Sequence, residues 1–151
     1  MNVTCPSMPS NMVLEQAAAL LLQKYTREGQ FENPMAVMEY LKFKMNQYER
    51  EVFALMMLDS QHRLIRFEPL FFGTINAASV YPREVVKAVL NANAAAVILV
   101  HNHPSGVPLP SDADKAITAR VKDALSLIDV STLDHIIVGE TCVSMAQRGD
   151  M

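Results

Sequence analysis

His101 and His103 stand one residue apart at the end of an unbroken apolar run, residues 95–100 (AAVILV). In an extended strand, residues i and i+2 point to the same face, so this pair can present two imidazoles to one point. Two neutral imidazoles are good zinc ligands, at roughly 2.0–2.1 Å. A carboxylate follows. Ile117, Val121, Ala124, Leu125 and Ile128 recur at helical spacing, and Asp114 falls three residues before Ile117 on that inward stripe. A carboxylate aimed at a core needs a partner or a metal, because an unpaired buried charge is expensive. Ser111-Asp112-Ala113-Asp114 also matches the S-x-x-[DE] capping pattern, in which Ser111 and Asp114 satisfy backbone donors at a helix start. Capping accounts for the helix start, but not for two histidines emerging from a buried strand upstream.

Two histidines and one aspartate leave a fourth tetrahedral position for water, the layout of a catalytic rather than a closed structural zinc site. Bound zinc lowers the pKa of water from about 15.7 to about 7. A general base must then take the proton and pass it to the leaving group. Glu51, opening the apolar run EVFALMML, is the best placed carboxylate, with Glu49 a nearby competitor.

The elements that must position these groups follow from apolar periodicity. Residues 1–10 read as a loose lead. A helix is expected over 11–27, with Leu14, Ala17, Leu21 and Tyr25 on one face and Gly29 at its stop. A second helix starts at Pro34, capped by Asn33, with Val37, Tyr40, Leu41 and Met45 inward. Strands are expected over 51–58 and 63–73, joined by a turn at 59–62. A helix opens at Pro82 with Val85, Val86, Val89 and Leu90 inward; the strand at 95–100 follows, running into His101. After the proline-rich loop PSGVPLP come a helix from about 112 to 127, a strand at 133–138 and one more strand at 142–145. The expectation is an α/β domain with a mixed sheet at 47–151, preceded by a helical N-terminal extension at 1–46.

The 151 residues suffice for one core, and half of them are hydrophobic against 19% charged, which excludes a disordered chain. The net charge of -3 disfavours a broad basic surface for nucleic acid. Cys5 and Cys142 are lone and far apart, neither a disulfide framework nor a cysteine-rich zinc site. Without an export signal or a run of 18 or more apolar residues, the expected location is the cytoplasm, away from membranes.

His101-x-His103-Pro104, then Ser111-x-x-Asp114, resembles the JAMM motif of MPN/JAB-domain metallopeptidases. EVFALMMLD, FFGTINAASVYPREVVKAVLNANAAAVILVHNHPSG and LDHIIVG resemble the RadC-like branch of that group, over roughly Tyr48 to Gly149. The resemblance implies an MPN/JAB-type fold related in architecture to cytidine deaminases. It implies one zinc ion per chain on His101, His103 and Asp114. Glu51 matches the glutamate that acts as general base, and Ser111 the serine that helps stabilise an oxyanion. Members of the wider group cleave peptide or isopeptide bonds, so the expected partner is a peptide or protein substrate. Full-length RadC proteins carry an N-terminal helix-hairpin-helix module; residues 1–46 show no Gly-containing hairpin of that type, which further disfavours DNA as partner.

Other candidates read more plainly. His135 is expected in the core or behind a ligand, orienting it. Ser105-Gly106 shapes a loop; Arg83 and Lys87 are solvated; Cys142 packs as a small hydrophobe. The main reading is a zinc metallohydrolase acting on an amide bond. Its alternative is a non-catalytic zinc-binding module tied to DNA repair or mobile elements. A nucleobase deaminase needs H-x-E and P-C-x-x-C, which this chain lacks. The helical extension has three readings: it covers a sheet face, mediates a homodimer, or restrains access to the zinc.

Overall fold

The computed structural model describes residues 9–28, 33–76 and 79–151. Among them the elements run α1 (Ser10–Glu28), α2 (Pro34–Met45), β1 (Val52–Leu58), β2 (Leu64–Phe72), α3 (Pro82–Ala92), β3 (Ala96–Asn102), α4 (Asp112–Ser126), β4 (Ser131–Val138), β5 (Cys142–Ser144) and α5 (Met145–Arg148). The strands form one mixed sheet in the order β2-β1-β3-β4-β5. β1 is antiparallel to both β2 and β3, β3 is parallel to β4, and β5 is antiparallel to β4.

All seven residues of β1 and all seven of β3 are buried. That is why both read as continuous apolar runs instead of alternating ones: each face of the central sheet is covered. The pleat divides them. Ala54, Met56, Leu58, Ile98 and Val100 join Val37, Tyr40, Leu41 and Met45 of α2 on one side. Phe53, Leu55, Met57, Val97 and Leu99 join Val85 and Val89 of α3 and Ile117, Val121 and Leu125 of α4 on the other. Continuing the alternation along β3, His101 faces the α3/α4 side and Asn102 the α2 side.

Local chemistry sets the helix ends. Asn33 Oδ1 accepts from the Met35 amide at 2.9 Å, and Pro34 occupies the first turn of α2. Pro82 opens α3, which stops at Asn93 in the left-handed conformation (φ 53°). β2 is an edge strand, with Ile65 and Phe72 exposed and Pro69 within it. The three-residue β5 closes the other edge.

The structure amends several expectations. On α3, Leu90 is 59% exposed and Ala88 is buried in its place; one residue on from Val89, Leu90 lies about 100° round the helix from the inward Val85/Val89 stripe, while Ala88 lies beside it. On α1 the buried residue is Ala18, with Leu14, Ala17 and Leu21 only half-buried, because only a narrow strip of that helix meets α2. Residues 142–145 split into β5 and the short helix α5, which Ser144 caps by accepting from the Gln147 amide at 3.0 Å. The stop at Gly29 and the thiol of Cys5 lie outside the described residues, as does the burial of Tyr25. No helix among the described residues is long and apolar enough to cross a membrane.

Candidate metal centre

The centre is built where β3 ends and α4 begins, at the carboxyl end of a strand in the middle of the sheet. Parallel pairing with β4 carries β3 through His101 and Asn102. His103 then turns out of the ladder, held by its amide bond to the Val138 carbonyl at 2.8 Å. The His101 and His103 rings meet edge to face, centroids 4.9 Å apart. From the other side comes Asp114, 1% exposed, on the same inward stripe of α4 as Ile117.

Among the described residues, one ligand atom from each of His101, His103 and Asp114 can be chosen so that all lie within 4.8 Å of one another. Asp114 Oδ1 is 2.8 Å from His101 Nδ1, and Oδ2 is 3.2 Å from His103 Nε2. The capping pattern is also realised. The Ser111 amide donates to Asp114 Oδ2 at 2.7 Å, the Ser111 hydroxyl donates to the same oxygen at 2.8 Å, and the Asp114 amide donates to Ser111 Oγ at 3.1 Å. The two readings of Ser111 and Asp114 are therefore compatible. One carboxylate fastens the helix start and faces both imidazoles.

The donor set fits a metal ion. His103 Nδ1–H donates to the Val107 carbonyl at 2.9 Å, so the neutral ring turns its Nε2 lone pair toward the cluster, free for a metal, while the protonated ring donates Nε2–H to Asp114 Oδ2 instead. His101 is buried, and its Nε2 has no hydrogen-bond partner within the protein, which leaves that nitrogen available as a donor atom. Burial alone would raise the Asp114 pKa. Hydrogen bonds from His101, His103 and the Ser111 amide outweigh it and hold the carboxyl well below the usual range. The bond to Asp114 raises the His103 pKa against its partial burial, helped by the Val107 carbonyl and the Glu51 charge. Two imidazoles and an ionised carboxylate are therefore arranged so that they could hold a metal ion.

Glu51 is half-buried, one residue before β1. Its Oε2 accepts from the Ile75 amide at 2.7 Å, and its carbonyl accepts from the Gly73 amide at 2.9 Å. Its charge is felt at His103. Glu49 is exposed and lines a cavity of about 470 Å³ bordered by His103, Asn102 and Glu140. Glu51 is thus the anchored carboxylate of the two.

His135 is fully buried on β4, its ring edge against Phe53. Burial pushes its pKa down to about 3, with the neighbouring His101 adding to the effect. Its Nδ1 lies 2.6 Å from Thr118 Oγ1, whose hydroxyl donates to the Asp114 carbonyl at 2.6 Å. With that proton committed, His135 Nδ1–H is the donor to Thr118. His135 accordingly stands in the core behind Asp114, through Thr118. Gly106 (φ 88°) makes the loop turn, its amide donating to the His103 carbonyl at 3.0 Å. Arg83 and Lys87 are exposed. Cys142 is half-buried among apolar groups, and burial raises its pKa.

Two residues at the site escaped sequence reasoning. Thr118 left a signal, a hydroxyl four residues after Asp114 on the inward side of α4. Asn102 left little: its Oδ1 accepts from the Val52 amide at 2.6 Å and its Nδ2 donates to the Arg50 carbonyl at 2.9 Å, fifty residues or so away in the chain.

Comparison with known proteins agrees with the geometry. Residues 31–150 match the model of the RadC-like JAB domain. A UPF0758 protein of Vibrio cholerae is 60% identical, over 92% of this chain and 88% of its own length. UPF0758 proteins of Pseudoalteromonas translucida and Idiomarina loihiensis are 56% and 55% identical over 91% of this chain, which spans 62% of their length. On that match and these identities, the chain belongs to the RadC-like JAB domain family.

Proposed function

We propose that this chain is a zinc-dependent metallohydrolase that cleaves a peptide or isopeptide bond. The observation that carries the reading is the meeting of His101, His103 and Asp114 at one point; Glu51, anchored on the Ile75 amide one residue before β1, supplies the base. Zinc held by those three residues would supply Lewis acidity toward a carbonyl oxygen and acidify water at neutral pH.

The protein's own groups handle protons and charge. Water adds to the amide carbonyl carbon as Glu51 takes one of its protons. The C–N bond then breaks, and Glu51 returns that proton to the leaving nitrogen, ready for the next cycle. Ser111 is exposed, and its hydroxyl donates to Asp114 Oδ2. Rotation of that hydroxyl toward substrate supplies a donor for the developing oxyanion. Thr118 and His135 hold the backbone of Asp114 from behind. A peptide or protein substrate suits the net charge of -3 better than a nucleic acid does.

The test is zinc-loaded protein incubated with a library of peptide and isopeptide-linked substrates, beside Glu51→Gln. Cleavage by wild type and none by a Glu51→Gln protein of equal zinc content is the expected result. Equal turnover by both would overturn the role of Glu51. A zinc-loaded wild type that cleaves nothing would leave a metal-binding module.

A further inference from the structure

Asn102 sits between the two histidines, yet its side chain faces the other side of the sheet, where it lines the cavity with Met45, Tyr48 and Val138. The backbone register of β1 with β3 ends at Phe53↔His101. Beyond that pair the ladder is continued by a side chain. Asn102 Oδ1 accepts from the Val52 amide at 2.6 Å, and Asn102 Nδ2 donates to the Arg50 carbonyl at 2.9 Å. These two backbone groups flank a single residue, Glu51. A donor and an acceptor bonded to the carbonyl before a residue and the amide after it reproduce the pairing of a parallel strand. The carboxamide of Asn102 therefore imitates a peptide group.

On its other side, Glu51 is held through its own carbonyl by the Gly73 amide at 2.9 Å. The backbone at Glu51 is pinned left and right, and from it the side chain reaches the Ile75 amide, which donates to Oε2 at 2.7 Å. We infer that Asn102 is a positioning residue that fixes Glu51 beside the metal ligands by clamping the two peptide groups around it. This rests on the reading of Glu51 as the base, but the clamp itself is a physical statement about Glu51 and Ile75 that holds with or without turnover. It also ties the base to the ligands in one piece. His101, Asn102 and His103 are consecutive, so any shift of the end of β3 moves Glu51 with the imidazoles.

Asn102→Asp keeps the acceptor for Val52 but sets an oxygen against the Arg50 carbonyl; Asn102→Ala removes both bonds. Amide hydrogen exchange of the full chain, metal-free and with one equivalent of zinc, reads the result residue by residue. Losing a buried hydrogen bond costs about 0.5–1.5 kcal/mol, so the Ile75 amide should exchange faster by up to about tenfold in either variant. Amides of Leu55, Met57, Val97 and Leu99 should keep wild-type protection, and zinc content should be unchanged. In Glu51→Gln, where an oxygen can still accept from Ile75, protection of that amide should be retained. Unchanged Ile75 protection in Asn102→Ala, or a uniform loss across the strand cores, would overturn the inference by showing that Glu51 is placed without the clamp or that Asn102 serves general stability alone. Should Asn102→Ala not fold, Asn102→Asp decides by the same readout. Failure of the hydrolase reading would instead appear as intact zinc binding without cleavage, with Ile75 still responding to Asn102.

Discussion

Asp114 Oδ1 lies 2.8 Å from His101 Nδ1, across the gap between the end of β3 and the first turn of α4. The same carboxylate receives the amide and hydroxyl of Ser111 on its other oxygen. Helix capping and ligand placement thus share one side chain, and the helix cannot start elsewhere without moving the carboxylate. The shared duty makes the metal centre sensitive to changes that look merely structural.

Metal content is the most direct consequence. Wild type offered zinc should carry about one ion per chain by mass spectrometry. Asp114→Asn keeps an acceptor for the cap but loses the charge, and His103→Ala loses a ligand outright. Both should weaken binding by more than about 100-fold, the upper end of what losing a supporting partner costs. Retention of a full equivalent by both variants would remove these residues from the ligand set.

Ser111→Ala should act on stability first. Losing an N-cap side chain costs about 1 kcal/mol, and in a chain of this size that lowers Tm by roughly 2–4 °C. Differential scanning calorimetry of metal-free protein reads the cap alone. A Tm equal to wild type would show that the Asp114 half of the box suffices.

Gly139 offers a steric test. A Cβ there would stand 2.5 Å from the Gly106 carbonyl oxygen and 3.1 Å from the Pro108 nitrogen. Both are backbone atoms, so the 103–110 loop has to move. Gly139→Ala should cost about 1–3 kcal/mol in urea unfolding. Because the Val107 carbonyl fixes His103 Nδ1 in that loop, zinc affinity should fall too. Wild-type affinity in this variant would mean that His103 is held independently of its loop.

His135 predicts a pH dependence. Folded, its pKa is pushed down to about 3, against an ordinary value near 6.5 in the unfolded chain. Above pH ~6.5 both states are neutral and its contribution is complete. As pH falls below that, the unfolded chain takes up a proton that the folded one refuses, at about 1.4 kcal/mol per pH unit, or about 2 kcal/mol by pH 5. His103 acts oppositely: its pKa is raised, so its stabilisation is present in acid and fades as pH rises. Comparing wild type with His135→Gln, both with chelator, cancels that term. Between pH 7 and 5 the wild type should lose about 2 kcal/mol more than the variant; parallel losses would contradict a neutral buried His135.

Local rules carried much of this molecule. Pro34, Pro82 and Ser111 marked helix starts through their own covalent or hydrogen-bonding chemistry, and the runs at β1 and β3 were long enough to demand burial on both faces. The meeting of His101, His103 and Asp114 was legible because their spacing, i to i+2 on a strand and three residues before a core position on a helix, is itself local. What escaped depends on distant partners. Nothing near Asn102 announces a bond to Val52, and nothing near Leu90 announces that the packed face of α3 runs through Ala88 instead. What sets Glu51 apart from Glu49 is likewise distant, a bond to the Ile75 amide twenty-four residues on.

The sheet's two borders carry a last consequence, for self-association. Pro69 withholds a donor from the outermost strand β2, and Arg66 and Glu68 place charges beside it, paired at 3.7 Å. β5, at three residues, offers too short a template for a stranger to extend. Neither border invites growth by strand addition, even though Phe72 and Ile65 leave apolar surface on β2. In the described residues, pairing across either border is thus blunted by an imino acid, a charge pair or brevity.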